Sequence, residues 1–233
     1  MNEKILTIIP ARKGSKGIKN KNIQIINKLR LIEYSIKTAL KVNLPGEICI
    51  TSNDKKVHRI AKNYNLKIPF IRPEKISKDT TPMHKVIFHA LDFYKRKYNF
   101  DPKYFLLLQP TSPFRNNSEI KKILLKFINS KKKSLVSVSK VNHHPCEYLM
   151  YNKSKKLKYI LKNKYNRRQE FPDVYFINGS IYMCNTKYFI QTKKFINSSS
   201  FLYIQDYKSS IDIDNMENLD YARFYIQKYG YKS

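Results

Sequence analysis

Residues 5–22, ILTIIPARKGSKGIKNKN, decide the fold. The stretch opens with a continuous apolar run, Ile5–Pro10, rich in β-branched side chains, which predicts a buried strand. The residues after Pro10 hold Gly14 and Gly17, two of only five glycines in the chain, beside Arg12 and Lys13, Lys16, Lys19 and Lys21. A loop at the carboxyl end of a buried strand is where open α/β sheets bind ligands. Glycines there let the backbone turn tightly and bring amide N–H groups up to an anion with no Cβ in the way. Arg12 can fork onto phosphate oxygens, and lysines add point charge. A di- or triphosphate suits this loop. The pattern is neither GxxxxGK[ST] nor GxGxxG, so neither a Walker loop nor a dinucleotide fingerprint is present. Alone, it also fits an ordinary basic loop between strand and helix.

Outward from this stretch, strands and helices alternate. Helical spacing runs over 31–40, 54–64 (with Asp54 placed as its cap), 81–94 and 118–127, and a terminal helix is predicted over 216–229. Strands are predicted at 47–52, 104–109, 134–139, 174–184 and 201–204, with a further short apolar run at 68–71. Alternation of this kind means crossover units and a mostly parallel sheet covered on both faces, an α/β three-layer, Rossmann-like fold. Between 140 and 176 the pattern changes to short β-like pieces (148–151 and 157–161), an antiparallel excursion. The strand at 174–184 is interrupted at Asn178-Gly179, and glycine inside a strand marks a bulge or a close backbone approach.

The chain has 233 residues, enough for one α/β domain with a real core, and a formal net charge of +29. The excess is nearly all lysine, and Asn, Ile and Tyr are heavily used too. These residues share A/T-rich codons, so a biased genome gives this balance without a nucleic-acid surface. No aromatic-basic pattern of the RNA-recognition kind accompanies it, and nucleic acid is not an expected partner. The charge still favours anionic ligands. No stretch approaches the ~18 apolar residues of a membrane span. The N-terminal apolar segment is too short for a signal peptide, so a cytoplasmic location is expected. Cys49, Cys146 and Cys184 are far apart and odd in number, which excludes a CxxC zinc site or a disulfide framework.

Two further motifs sit at strand ends. In QPTSPFR, 109–115, Gln109 ends an apolar strand, where its amide can read a polar base edge, and the prolines stiffen the turn. A rigid turn ahead of a helix reads the same way. In SIDID, 210–214, alternation puts Asp212 and Asp214 on one face. Two such carboxylates repel unless a cation lies between them, and Mg²⁺ suits carboxylate and phosphate oxygens. Asp214 also fits the N-cap of the terminal helix, with Glu217 completing a box-like pair. His143 and His144 are adjacent on a presumed extended chain, pointing to opposite faces, which disfavours one shared site.

These motifs, with FIRPEKISKDT, HHP at 143–145, RRQEFP and FINGSIY, span almost the whole chain. Together they resemble the cytidylyltransferases that activate sialic acid and related nine-carbon acidic sugars. The resemblance implies a single nucleotidyltransferase domain, 1–233, with 140–176 as a dimerisation segment reaching the partner's site. It implies a homodimer using CTP, an acidic nine-carbon sugar and Mg²⁺. It places Pro10, Ala11, Arg12, Gly14, Ser15, Asn22, Arg72 and Gln109 at the nucleotide. Arg12 and Lys21 would hold the triphosphate as part of the catalytic set, and Gln109, Arg168 and Gln169 would meet the sugar. Asp212 and Asp214 would hold the metal, with Asp212 either orienting the attacking hydroxyl or acting only as a ligand. A related 3-deoxy-manno-octulosonate enzyme or one using another base is the nearest alternative. A basic nucleic-acid-binding protein is the alternative from another class. Two positions depart from the family pattern: Pro82-Met83 after Thr81, where the family contacts the nucleotide, and Cys146-Glu147 after HHP, where a glutamate facing an acidic sugar points to an acceptor such as legionaminic acid.

Overall fold

The computed structural model describes residues 3–151, 154–161, 165, 167–207 and 210–230. In chain order the first half comprises β1 (Ile5–Pro10), the short pair β2 (Ile25–Ile26) and β3 (Leu29–Arg30), α1 (Leu31–Val42), β4 (Gly46–Thr51), α2 (Lys55–Lys62) and α3 (Met83–Tyr98). Then come β5 (Tyr104–Leu108), α4 (Asn117–Asn129), β6 (Ser134–Lys140), the pair β7 (Leu149–Tyr151) and β8 (Leu157–Tyr159), and β9 (Tyr175–Asn185). The chain closes with α5 (Thr186–Thr192), β10 (Phe201–Ile204) and α6 (Met216–Tyr229).

The main sheet has six strands in the order β10-β6-β9-β5-β1-β4. β1 is central to the parallel part, pairing with β4 and β5, and β10 runs parallel to β6. β9 alone is antiparallel, wedged between β5 and β6. The apolar run of β1 is now explained. Ile5 and Ile9 pack with α1, α2 and α4 on one face, and Leu6 and Ile8 pack with α3 and α5 on the other. A strand buried on both faces needs apolar residues at successive positions rather than alternate ones. A third cluster joins α6 to the loop after β1 and the β2–β3 hairpin through Ile18, Ile26, Phe114, Ile213 and Leu219. Among the described residues no helix is long and apolar enough to cross a membrane.

Several expectations need correction. The β2–β3 hairpin was not foreseen. Its two-residue turn places Asn27 at φ 42° and Lys28 at φ 47°, the left-handed pair of a type I′ turn. Lysine at the second position hides the usual Asn-Gly signal. α5 was not foreseen either, being only seven residues long. α3 starts after Pro82 and runs a turn beyond the predicted end, to Asn99 at φ 47°. The apolar run at 68–71 is not a sheet strand; Ile68 and Phe70 pack between helices instead. Asp54 caps α2 as expected, accepting from the Lys56 amide at 2.8 Å. Asp214 is not the cap of α6. Asn215 takes that role, accepting from the Asn218 amide at 2.8 Å while the Asn218 side chain accepts from the Asn215 amide.

The interruption in β9 is a pronounced bulge. Val136 pairs with Tyr182 and Val138 with Ile177, so residues 178–180 are extra on the β9 side. The excursion forms the separate antiparallel pair β7–β8, with apolar side chains largely exposed: Tyr151 is 64% and Leu157 66% accessible.

Candidate active site

A cleft of about 370 Å³ opens beside the carboxyl ends of β1 and β5. Four segments wall it: the glycine-lysine loop, residues 72–83, the turn after β5, and residues 212–214. It collects Pro10, Arg12, Ser15, Lys21, Asn22, Arg72, Gln109, Asp212 and Asp214. Ala11 is buried and Gly14 exposed, and neither lines the cleft; they shape its wall. Lys78, Asp79, Thr81 and Met83 also line it and were not assigned from the sequence. A faint signal existed, because the 79–83 stretch departs from the family pattern.

The two loop glycines do different jobs. Gly14 adopts φ +73° with open space around it, so the backbone conformation demands it. Gly17 has an ordinary φ, but a Cβ there would overlap the backbone carbonyl of Asp214. The loop is therefore packed against the acidic segment rather than reserving that space for ligand. Side chains then pin the loop. The Asn22 amide donates to the Arg12 carbonyl at 3.0 Å, and the Ser52 hydroxyl donates to the Ala11 carbonyl at 2.5 Å. The Arg12 guanidinium donates to the Gly14 carbonyl.

Positive charge converges here. Arg72 is only 3% exposed; its Nε donates to the Ser77 hydroxyl at 3.2 Å, while its Nη2 has no hydrogen-bond partner among the described residues. Burial, with the Arg12 charge adding, pushes its guanidinium down to about 10. An unpaired buried donor facing a second guanidinium is costly without an anion to receive it. Lys21 Nζ donates to the Ile213 carbonyl at 2.9 Å and to Asp214 Oδ1 at 3.0 Å. Negative charge faces it. Burial raises the Asp212 carboxyl above its usual range, a hydrogen bond from Thr111 opposes this, and the neighbouring Asp214 raises it further. Asp212 and Asp214 thus share one face of an extended segment, as alternation predicts.

Gln109 is clamped. Its Nε2 donates to the Gly179 carbonyl at 3.1 Å. Its backbone carbonyl accepts from Arg115 Nη2 at 2.6 Å. Arg115 is fully buried and also donates to the Ser180 carbonyl at 2.8 Å and to the Ser35 hydroxyl at 3.0 Å. Sequence reading missed this residue because a buried arginine bonded to carbonyls leaves no pattern of its own.

Arg168 and Gln169 do not reach this cleft. They line a second cavity of about 460 Å³ with His143, His144 and Glu147. Arg168 Nε is ion-paired to Glu147 at 2.6 Å. Both histidines line it, contrary to the opposite-face argument, because the chain bends at 142–143 instead of staying extended. His144 stacks on Phe171 at 4.4 Å and accepts from the Cys146 amide. Among the described residues no group of three or more His, Cys, Asp or Glu is arranged to hold a metal unaided.

The family model described as cytidylyltransferase matches residues 6–229. The chain is 33% identical over 98% of its length to the N-acylneuraminate cytidylyltransferase of Escherichia coli O18:K1:H7, but spans only 53% of that relative. It is 32% identical to the CMP-N,N'-diacetyllegionaminic acid synthase of Legionella pneumophila, with 91% of each chain covered. Among solved structures, a CMP:2-keto-3-deoxy-manno-octonic acid synthetase complexed with CTP superposes with TM-score 0.71 at 14% identity, covering 97% of this chain and 99% of that one. That likeness shows the nucleotidyltransferase fold.

Proposed function

Because the chain belongs to the cytidylyltransferase family, we propose that it activates a nine-carbon acidic sugar of the sialic or legionaminic type with CTP. The products are the CMP-sugar and pyrophosphate. The observation that carries the reading is the cleft itself, where Arg72, its Nη2 without a hydrogen-bond partner among the described residues, and Arg12 line the same space as a carboxylate pair. The sugar's anomeric oxygen forms a new bond to the α-phosphorus. The bond from that phosphorus to the bridging oxygen breaks, its electron pair leaving with pyrophosphate, and the hydroxyl proton passes to Asp212 or to water. Arg12, Arg72 and Lys21 hold the phosphates in line, and catalysis here is positioning and charge neutralisation. Asp212 and Asp214 fit a Mg²⁺ site: burial first, and the neighbouring Asp214 charge with it, raise the proton affinity of Asp212, and a cation between the two carboxylates would relieve both. Bound there with the triphosphate, the cation would offset charge on the departing pyrophosphate. Asp212 would also orient the attacking hydroxyl, or act only as a metal ligand.

Residues 1–233 are read as one nucleotidyltransferase domain of a cytoplasmic enzyme, with 140–176 as an insertion that packs on a second copy. The exposed apolar surface of β7–β8 supports that role. Arg168 and Gln169 would then serve the partner's sugar site. Deleting residues 148–166 should give a monomer with little turnover, checked by sedimentation. An intact protein that sediments as a monomer at micromolar concentration removes the dimer from the proposal.

Pyrophosphate release measured with CTP, other nucleoside triphosphates and a panel of acidic sugars tests the function. Turnover only with 3-deoxy-manno-octulosonate, or with another base, would replace it. Arg12→Ala should weaken CTP binding as well as rate, because a charged hydrogen bond to phosphate contributes ~1.5–3 kcal/mol. Unchanged CTP affinity by calorimetry would remove the loop's phosphate role.

A further inference from the structure

We propose that Asn178 is a positioning residue that sets the orientation of the Gln109 amide through the β9 bulge. The inference rests on the proposed reaction only for its kinetic readout. Asn178 is 4% exposed and does not line the cleft. Its carboxamide nevertheless uses all of its bonding capacity. Oδ1 accepts from the Ser137 hydroxyl at 2.6 Å and from the Ser180 amide at 3.2 Å. Nδ2 donates to the Ser139 hydroxyl at 2.9 Å and to Gln205 Oε1 at 3.0 Å. A primary amide has two donors and an oxygen with two lone pairs, so every position is filled. The Ser137 hydroxyl also accepts from the Ile181 amide at 2.8 Å, re-entering the ladder just past the bulge.

The fixed object is the Asn178-Gly179-Ser180 bulge, and both of its following carbonyls are used. The Ser180 carbonyl takes Arg115, and the Gly179 carbonyl takes Gln109 Nε2. A carbonyl only accepts, so the Gln109 atom against it must be the NH₂. The flip of the Gln109 amide is thereby decided, and among the described residues none bonds its Oε1. Gln109 thus offers the cleft an acceptor of set direction. Gly179 at φ +73° is the residue that lets the carbonyl turn that way.

The test is a double-mutant cycle with a spectroscopic arm. Asn178→Ala and Gln109→Ala should each lower kcat/KM about tenfold or more, and the double variant should be no worse than Gln109→Ala. A merely structural Asn178 would give additive losses and sink the proposal, as would full activity of Asn178→Ala. In ¹⁵N-labelled protein the Gln109 side-chain NH₂, assigned by its loss in Gln109→Ala, should exchange slowly in wild type and fast in Asn178→Ala. Equal exchange in both overturns the idea even if no acceptor sugar is turned over, which keeps its failure apart from failure of the proposed function. If Asn178→Ala does not fold, Ser139→Ala removes one of the four bonds and should show the same non-additive pattern at smaller size.

Discussion

Asp212→Asn should fold normally and lose turnover by about two orders of magnitude or more, the scale of removing a preorganised charge at a phosphoryl-transfer site. Asparagine has the same size, and the burial that raises the Asp212 proton affinity is better tolerated by a neutral amide. The melting temperature should therefore hold or rise while Mg²⁺-dependent pyrophosphate release collapses. Asp214→Asn should be the milder variant. Its side chain is 72% exposed and its pair with Lys21 is a surface contact, so folding loses little. It is not the helix cap, so a capping loss cannot mask the result. What Asp214→Asn removes is one ligand of the proposed cation and the partner that aims Lys21. Normal turnover in the double Asn variant would mean that no metal acts here.

In SIDIDNMEN both Asp214 and Asn215 are good caps, and only backbone geometry separates them. Period-2 alternation, by contrast, survived folding intact, because residues 211–214 stay extended between the Ile213–Thr111 backbone bond and the buried side chains of Ile211 and Ile213. The parallel sheet was legible for a similar reason. Strands buried on both faces carry apolar residues at nearly every position: YFLLL does throughout, and ILTIIP does but for Thr7. The reversed strand β9 was legible as a strand but not in its direction, since nothing local encodes antiparallel pairing. The glycine-lysine loop was legible as an anion site by composition. Its partner across the cleft, the guanidinium of Arg72, came only through family resemblance, because sixty residues separate it from Arg12. The separate cavity holding Arg168 was not legible in residue order, which does not say which cleft a segment lines.

The glycine loop offers the second large effect, and it separates two reasons for using glycine. Gly17→Ala should reduce turnover by about 100-fold, the cost of misplacing reacting groups by roughly 1 Å, and should destabilise by about 1–3 kcal/mol, as overpacking does. The new Cβ meets the Asp214 carbonyl, which is backbone and cannot rotate away. That carbonyl is held from both sides. The preceding Ile213 amide donates to the Thr111 carbonyl at 2.8 Å, and the Asp214 amide donates to the Asn218 side chain at 3.2 Å. The loop must therefore yield, carrying Arg12 away from the carboxylates and stretching the Lys21 bonds to Ile213 and Asp214. Gly14→Ala provides the contrast. Nothing lies within 4 Å of the added carbon, so only the left-handed backbone is strained, at about 1 kcal/mol. Turnover should stay within a few-fold of wild type. Melting temperature and pyrophosphate release on the two variants decide the matter. Equal damage at both positions would mean that the loop's own conformation, and not its contact with the acidic segment, sets the site.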